Sequence, residues 1–315
     1  MNWSKLLLLF TCLLTACYKP RKETDMMAYS ISETQLRSLG SCFVPFTLEE
    51  RQQSFAKEYL IGLNFAKELD YYRAITTFKR AKVLAEIEAP LRAPQAEYAV
   101  ILSYFLANRF RDTIQEFERS DLRRTMQPEF PAYHDLLIIL HESYLKLNDP
   151  VRAQEALTLL EKKDAKSAKR IEIYDALDSG ELKKLNTLTN EQPYGEDLQF
   201  FLNQYESKAK SVKKAALMSM VIPGSGYLYA GQTRSFITSF LLNALFIAAT
   251  VHLFNKGHTA AGIITAGFEA GWYFGSIYGS SRAVKFYNER LYGKQARWLA
   301  EEYTFYPSLN LKCAF

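Results

Sequence analysis

The sequence predicts an all-α protein, with a run of paired helices followed by an apolar helical hairpin. Three observations lead there. From about Leu48 to residue 214 the apolar residues recur at three- and four-residue spacing, and nowhere do they sustain the alternation of a sheet. Within that stretch a frame of small and large apolar residues returns with Ala74, Thr113 and Ala153, spaced 39 and 40 residues apart. After Lys208, Lys210, Lys213 and Lys214 the charge density drops, and long uncharged segments begin.

The first residues read as an export signal. Lys5 precedes the apolar run Leu6-Leu7-Leu8-Leu9-Phe10, and small residues lead to Cys17. The run is shorter than the roughly 20 residues a stable crossing needs. Leu14-Thr15-Ala16-Cys17 resembles the bacterial lipobox, a resemblance that implies lipidation of Cys17, cleavage before it and acylation of the new amino terminus. The other reading is an ordinary signal peptide with an incidental cysteine. Residues 1–17 are thus expected to be a leader and 18–46 a polar tether.

Residues 47–214 are expected to form the helical repeat domain. Thr47-Leu48-Glu49-Glu50 has the spacing of a capping box, which places a helix start near Leu48. The frame begins as Ile61, Gly62, Phe65, Ala74, Phe78, Ala81. It returns as Val100, Tyr104, Thr113, Phe117, Ser120 and as Leu140, Tyr144, Ala153, Leu157, Leu160. A small residue early in a second helix lets two helices approach, and aromatics fill the groove between them. The units resemble degenerate tetratricopeptide repeats with lengthened connections, and a weaker fourth pair spans about Ile171 to Leu202. The resemblance implies a solenoid whose groove holds a protein or peptide, with Asn64 and Lys67 turned away from the packing residues. A non-repeating bundle is the alternative.

Residues 215–288 are expected to be a membrane hairpin domain, with 289–315 as its tail. Ser235–Phe254 carries no formal charge, and from His258 or Thr259 to Ser280 the only charge is Glu269, so the pair reads as a transmembrane hairpin turning at Asn255-Lys256-Gly257. Gly267, Gly271, Gly275 and Gly279 fall at four-residue intervals and predict a close packing seam for the hairpin. Asn243 and Glu269 are the polar residues near the two midpoints, expected to hydrogen-bond to each other or to serve transport. Ahead of the hairpin, Pro223, Gly224, Gly226, Tyr229 and Gly231 resemble the Pro-Gly-x-Gly-x-x-Tyr-x-Gly signature of small bacterial membrane domains. Arg282, Lys285, Arg290, Lys294 and Arg297 favour a cytoplasmic end under the positive-inside tendency. That would require a further short crossing at Ala215–Gly231. Otherwise both flanks lie outside, where Cys42 and Cys313 are candidates for a disulfide.

The net charge of +5, without a dense basic tract, gives no case for nucleic acid. His134, His141, His252 and His258 show no metal-ligand spacing, and His141 is expected to be exposed. No catalytic signature, metal site or cofactor is expected. The leading expectation is an envelope scaffold tethered to membrane lipid and binding an unidentified protein or peptide, with the inner membrane favoured over the outer. The alternative is a transport or assembly component using Glu269 and Asn243.

Overall fold

A computed structural model describes residues 39–125, 127–190 and 193–315. The leader, Cys17 and most of the tether lie outside the described residues. The described chain is all-helical, and its only β-type pairing is an isolated parallel bridge between Ser41 and Ala314.

Eight helices of seven residues or more come first, with the single turn Leu122–Thr125 between the fourth and fifth. They are α1 (Ser54–Lys67), α2 (Tyr71–Glu88), α3 (Ala93–Leu106), α4 (Phe110–Arg119), α5 (Tyr133–Lys146), α6 (Pro150–Lys163), α7 (Ala165–Ser179) and α8 (Leu182–Leu188). Each packs chiefly on its neighbours in sequence. The capping box forms, with Glu50 N–H donating to Thr47 Oγ1 at 3.1 Å and Thr47 N–H donating to Glu50 Oε2 at 2.7 Å. It closes only the 3₁₀ turn Glu50–Gln52, because Gln53 is extended, and α1 begins at Ser54.

The helix pairs repeat in backbone detail. Leu69, Asn108 and Asn148 each take positive φ at the turn inside a pair, and Gly180 does so in the fourth. In the first three turns the next N–H reaches back to the carbonyl of Phe65, Tyr104 or Tyr144, in each case at 2.9 Å. This six-to-one bond is the Schellman closure, which satisfies carbonyls that a helix end would leave orphaned. An arginine at the start of each second helix lies 4.5–5.0 Å over that same aromatic ring: Arg73 and Arg152 in the first turn, and Arg109 at the N-cap. Asp70 and Asp149 cap α2 and α6 by accepting from Arg73 N–H and Arg152 N–H. The frame residues Phe78, Ala81, Thr113, Phe117, Ala153 and Leu160 are all buried.

The remaining helices are α9 (Gly195–Lys208), α10 (Val212–Val221), α11 (Ser225–Tyr229), α12 (Thr233–Asn255) and the 44-residue α13 (Thr259–Glu302). At 1.5 Å per residue α13 is about 66 Å long. The chain divides into two compact units, Phe201–Gln295 and the remainder of the described chain, so α9 and α13 each continue from one unit into the other. The boundary expected at 214 therefore falls at Phe200, and residues 296–315 belong to the repeat unit rather than to a separate tail. Part of the expected tether joins it too, since Leu39, Cys42, Phe43 and Phe46 pack against the repeat core.

Gly62 sets the approach of α1 to α2, because a Cβ there would stand 2.8 Å from the Phe78 ring. Replacing a helical glycine by alanine ordinarily stabilises by about 0.5–1 kcal/mol. Here Gly62→Ala is expected to destabilise by about 1–3 kcal/mol through overpacking, read as a lower urea midpoint with an unchanged slope.

Candidate functional site

Much of the buried polar chemistry of the repeat unit lies on α3 and α5. Every residue from Gln95 to Phe105 and from Tyr133 to Tyr144 is buried, so these first helices of their pairs have no free face along those stretches. Two extended segments cover them. Phe43 sits 5.7 Å from both Tyr98 and Phe130, and Phe46 packs edge-on to Phe55 and Tyr59. Arg92 holds this segment by donating to Val44 and Pro45 carbonyls and to both Glu50 oxygens. That guanidinium, with the Thr47 N–H, lowers the Glu50 carboxyl to about 2.

The second covering segment is Leu311–Phe315. Asp135, fully buried on α5, accepts from Lys312 N–H at 3.0 Å and from Cys313 N–H at 2.7 Å. Ala314 N–H donates to the Gly40 carbonyl at 2.8 Å. The Phe315 ring stacks on Phe78, with centroids 5.3 Å apart. Lys312 Nζ pairs with Asp164, whose carboxyl is held well below the ordinary carboxylate range; burial opposes that ionisation, but Lys312 and Ser167 outweigh it. Upstream, Asn310 Nδ2 donates to the Thr304 and Tyr306 carbonyls, and Tyr194 packs edge-on to Tyr303 and Phe305.

Cys42 and Cys313, the candidate pair, are joined as a disulfide with Cα atoms 5.4 Å apart, inside the range such a bond requires. Their sulfurs lie within 4.8 Å of an Asp135 oxygen, a donor set that a metal could use. The donors are already engaged, the sulfurs with each other and the carboxylate with backbone N–H groups and His134.

His141, expected at the surface, is buried. Its Nδ1 faces the Ala153 carbonyl and its Nε2 faces Asp175 Oδ2, each at 2.8 Å. Two acceptors require both ring nitrogens to carry hydrogen, so the site selects the imidazolium. Burial works against that charge, but the Asp175 hydrogen bond prevails and the pKa is raised. Asn64 and Lys67 are exposed, as their place on α1 suggested.

In the Phe201–Gln295 unit the Pro-Gly signature builds a corner. Gly224 and Gly231 take positive φ, and a Cβ on Gly226 would collide with the Ala215 carbonyl and with Ser219 and Ser280. Ser219 Oγ accepts from Gly226 N–H at 2.9 Å and lies 2.9 Å from Ser280 Oγ on α13. Tyr229 Oη accepts from Ser211 N–H, and its ring lies under Lys210 and Lys214. Asn288 closes the corner with two 2.8 Å bonds to the backbone of Lys210. The span Ala215–Gly231 is broken at Pro223-Gly224, so it is not the further crossing considered above. Helix α10, with 10 residues, would reach only about 15 Å.

The glycine seam departs from expectation. A Cβ added to Gly267, Gly271 or Gly275 would meet nothing within 4 Å; only Gly279 is occupied, by Tyr227, while close approach near the turn falls at Gly262 against Phe254. The expected Asn243–Glu269 bond is also not made. Asn243 is buried and donates to Ser239 O of its own helix at 2.7 Å, and both Glu269 oxygens are buried without a hydrogen-bond partner. The three- and four-residue spacings gave the faces of α12 and α13 but not their rotation toward each other.

Helix α12 is long and apolar enough to cross a membrane, and almost none of its apolar stretch is buried; among the described residues no other helix meets that criterion. No family model matches this chain, and no curated protein or solved structure matches it either.

Asp175→Asn is expected to cost about 1–3 kcal/mol near pH 6. A raised histidine pKa contributes stability that is complete below about pH 6.5 and is lost as pH rises through the folded value. The difference between wild type and variant in urea unfolding should therefore shrink at alkaline pH.

Proposed function

We propose that this protein is a membrane-anchored lipoprotein of the cell envelope that acts as a protein-binding scaffold. In this reading Cys17 carries the lipid, the paired helices form a tetratricopeptide-like solenoid, and α12 with the first half of α13 forms a transmembrane hairpin. The observation that carries it is the outward apolar surface of α12 and α13. Phe240, Leu241, Leu245 and Val251 on α12, and Ile263, Ile264, Phe268 and Phe274 on α13, are each at least two-fifths exposed. A contiguous apolar surface of this kind is a liability in water and a match for lipid.

Connectivity supports an even number of crossings. Residues before Phe201 and after Gln295 belong to one compact unit, stapled by Cys42–Cys313, so they share a compartment. A crossing by α12 then calls for a return by α13, which hydropathy alone does not flag because of Glu269, its glycines and its polar continuation. An oxidising compartment suits the disulfide. Arg282 and Lys285 then lie outside, against the positive-inside tendency; the disulfide is the stronger constraint because it is covalent.

Wild type is expected to incorporate labelled palmitate and to float with membranes, and Cys17→Ala to lose the label but still float. Freely soluble, unlabelled wild type would defeat the proposal. With Lys256→Cys, a membrane-impermeant maleimide should label the introduced thiol in inverted membrane vesicles and not in intact spheroplasts. Labelling in intact spheroplasts would reject the hairpin crossing.

A second reading, transport or assembly through Glu269 and Asn243, draws on the two unpartnered Glu269 oxygens. Glu269→Gln separates the readings: a scaffold keeps its abundance and its partner, whereas a transport component loses activity while still folded.

A further inference from the structure

Segment Leu311–Phe315 is bound as a peptide ligand would be. Its backbone is read by Asp135, through the N–H groups of Lys312 and Cys313, and by Gly40, through that of Ala314. These contacts accept any residue type, as strand-addition recognition does. Two side chains supply selectivity. Lys312 pairs with Asp164, and Phe315 stacks on Phe78, a ring whose position is itself fixed by Tyr59 and by the bare backbone of Gly62. The cover is stapled at one point, Cys42–Cys313, where Cys42 is half-buried and Cys313 is buried.

We propose that the surface formed by Asp135 on α5, Phe78 on α2 and Asp164 at the start of α7 is a groove for extended peptides of the form Lys-x-x-Phe, filled in cis by Lys312–Phe315 while the Cys42–Cys313 bond is intact and open to such a peptide in trans once it is reduced. The proposal rests on the scaffold reading and gives the partner a chemistry. Opening needs a dithiol reductant. One of its thiolates attacks Cys42 Sγ, the more accessible sulfur, and the Cys313 sulfur leaves with the bonding electron pair and takes a proton. The second thiol of the reductant then resolves the mixed disulfide, leaving two protein thiols and an oxidised reductant. Cys313 departs beside the Asp135 carboxylate, which disfavours a second negative charge there. The bridge therefore resists casual reduction and holds the groove shut by default.

The test uses full-length detergent-solubilised protein and a fluorescent peptide of residues 308–315 carrying Cys313→Ser. Oxidised wild type should not bind it. Cys42→Ser combined with Phe315→Ala leaves the Asp135 contacts in place and removes the staple and the aromatic anchor. That variant should bind at least about tenfold more tightly than wild type, and a probe lacking the phenylalanine should lose about tenfold. A cooperatively folding variant that ignores the probe overturns the proposal. Should the variant fail to fold, hydrogen exchange on wild type decides. Protection of the Lys312 and Ala314 amides should fall on reduction and fall further with added peptide; protection unchanged by both overturns the groove. Flotation of the same preparations tests the membrane anchor separately, so failure of the groove and failure of the scaffold's anchorage give different results.

Discussion

A carboxylate without water around it must find donors, and Asp135 finds them in residues 177 and 178 positions away in the sequence. That constraint organises the repeat unit. Two backbone N–H groups and His134 surround the buried charge, and the segment supplying them is thereby drawn across α5. Once it lies there, Ala314 reaches Gly40, Phe315 reaches Phe78, and Cys313 comes within bonding distance of Cys42. Removing the partners of a buried charge costs more than the pair is worth in isolation, because the charge remains. The clasp is therefore best regarded as one cooperative assembly of carboxylate, disulfide and aromatic stack.

Much of the helical architecture was legible in the sequence because its causes are local. Period and small-residue spacing placed the pairs, and the same arithmetic that linked Ala74, Thr113 and Ala153 also links Leu69, Asn108 and Asn148 at the turns. The asparagines at two of these turns, and the arginine that follows within one to four residues, were available signals that the apolar frame left unused. The capping box was readable as chemistry but not as a boundary, since the extended Gln53 delays α1.

What could not be read was long-range. His141 sits on a helix whose sequence looks half polar, yet Asp175 on α7 and the Ala153 carbonyl on α6 receive both ring nitrogens, which offsets the cost of burial. Nothing near Lys312 announces that its neighbours will cover Asp135. In the Phe201–Gln295 unit the regular glycine spacing described a smooth ridge correctly, but a ridge does not state what rests on it. Gly262 and Gly279, at the two ends of the apolar stretch, take the close contacts, while Gly267, Gly271 and Gly275 look onto open space.

The disulfide spans 271 positions, and the repeat core counts Leu311, Ala314 and Phe315 among its members. A ribosome delivers the eight repeat helices long before it delivers these residues. Until then α3 and α5 must wait with one apolar side uncovered, and whatever handles the intervening apolar helices acts on a half-finished domain. The part of the protein that is made first is consequently completed last, and any aid to its maturation has to protect that uncovered side through the whole interval.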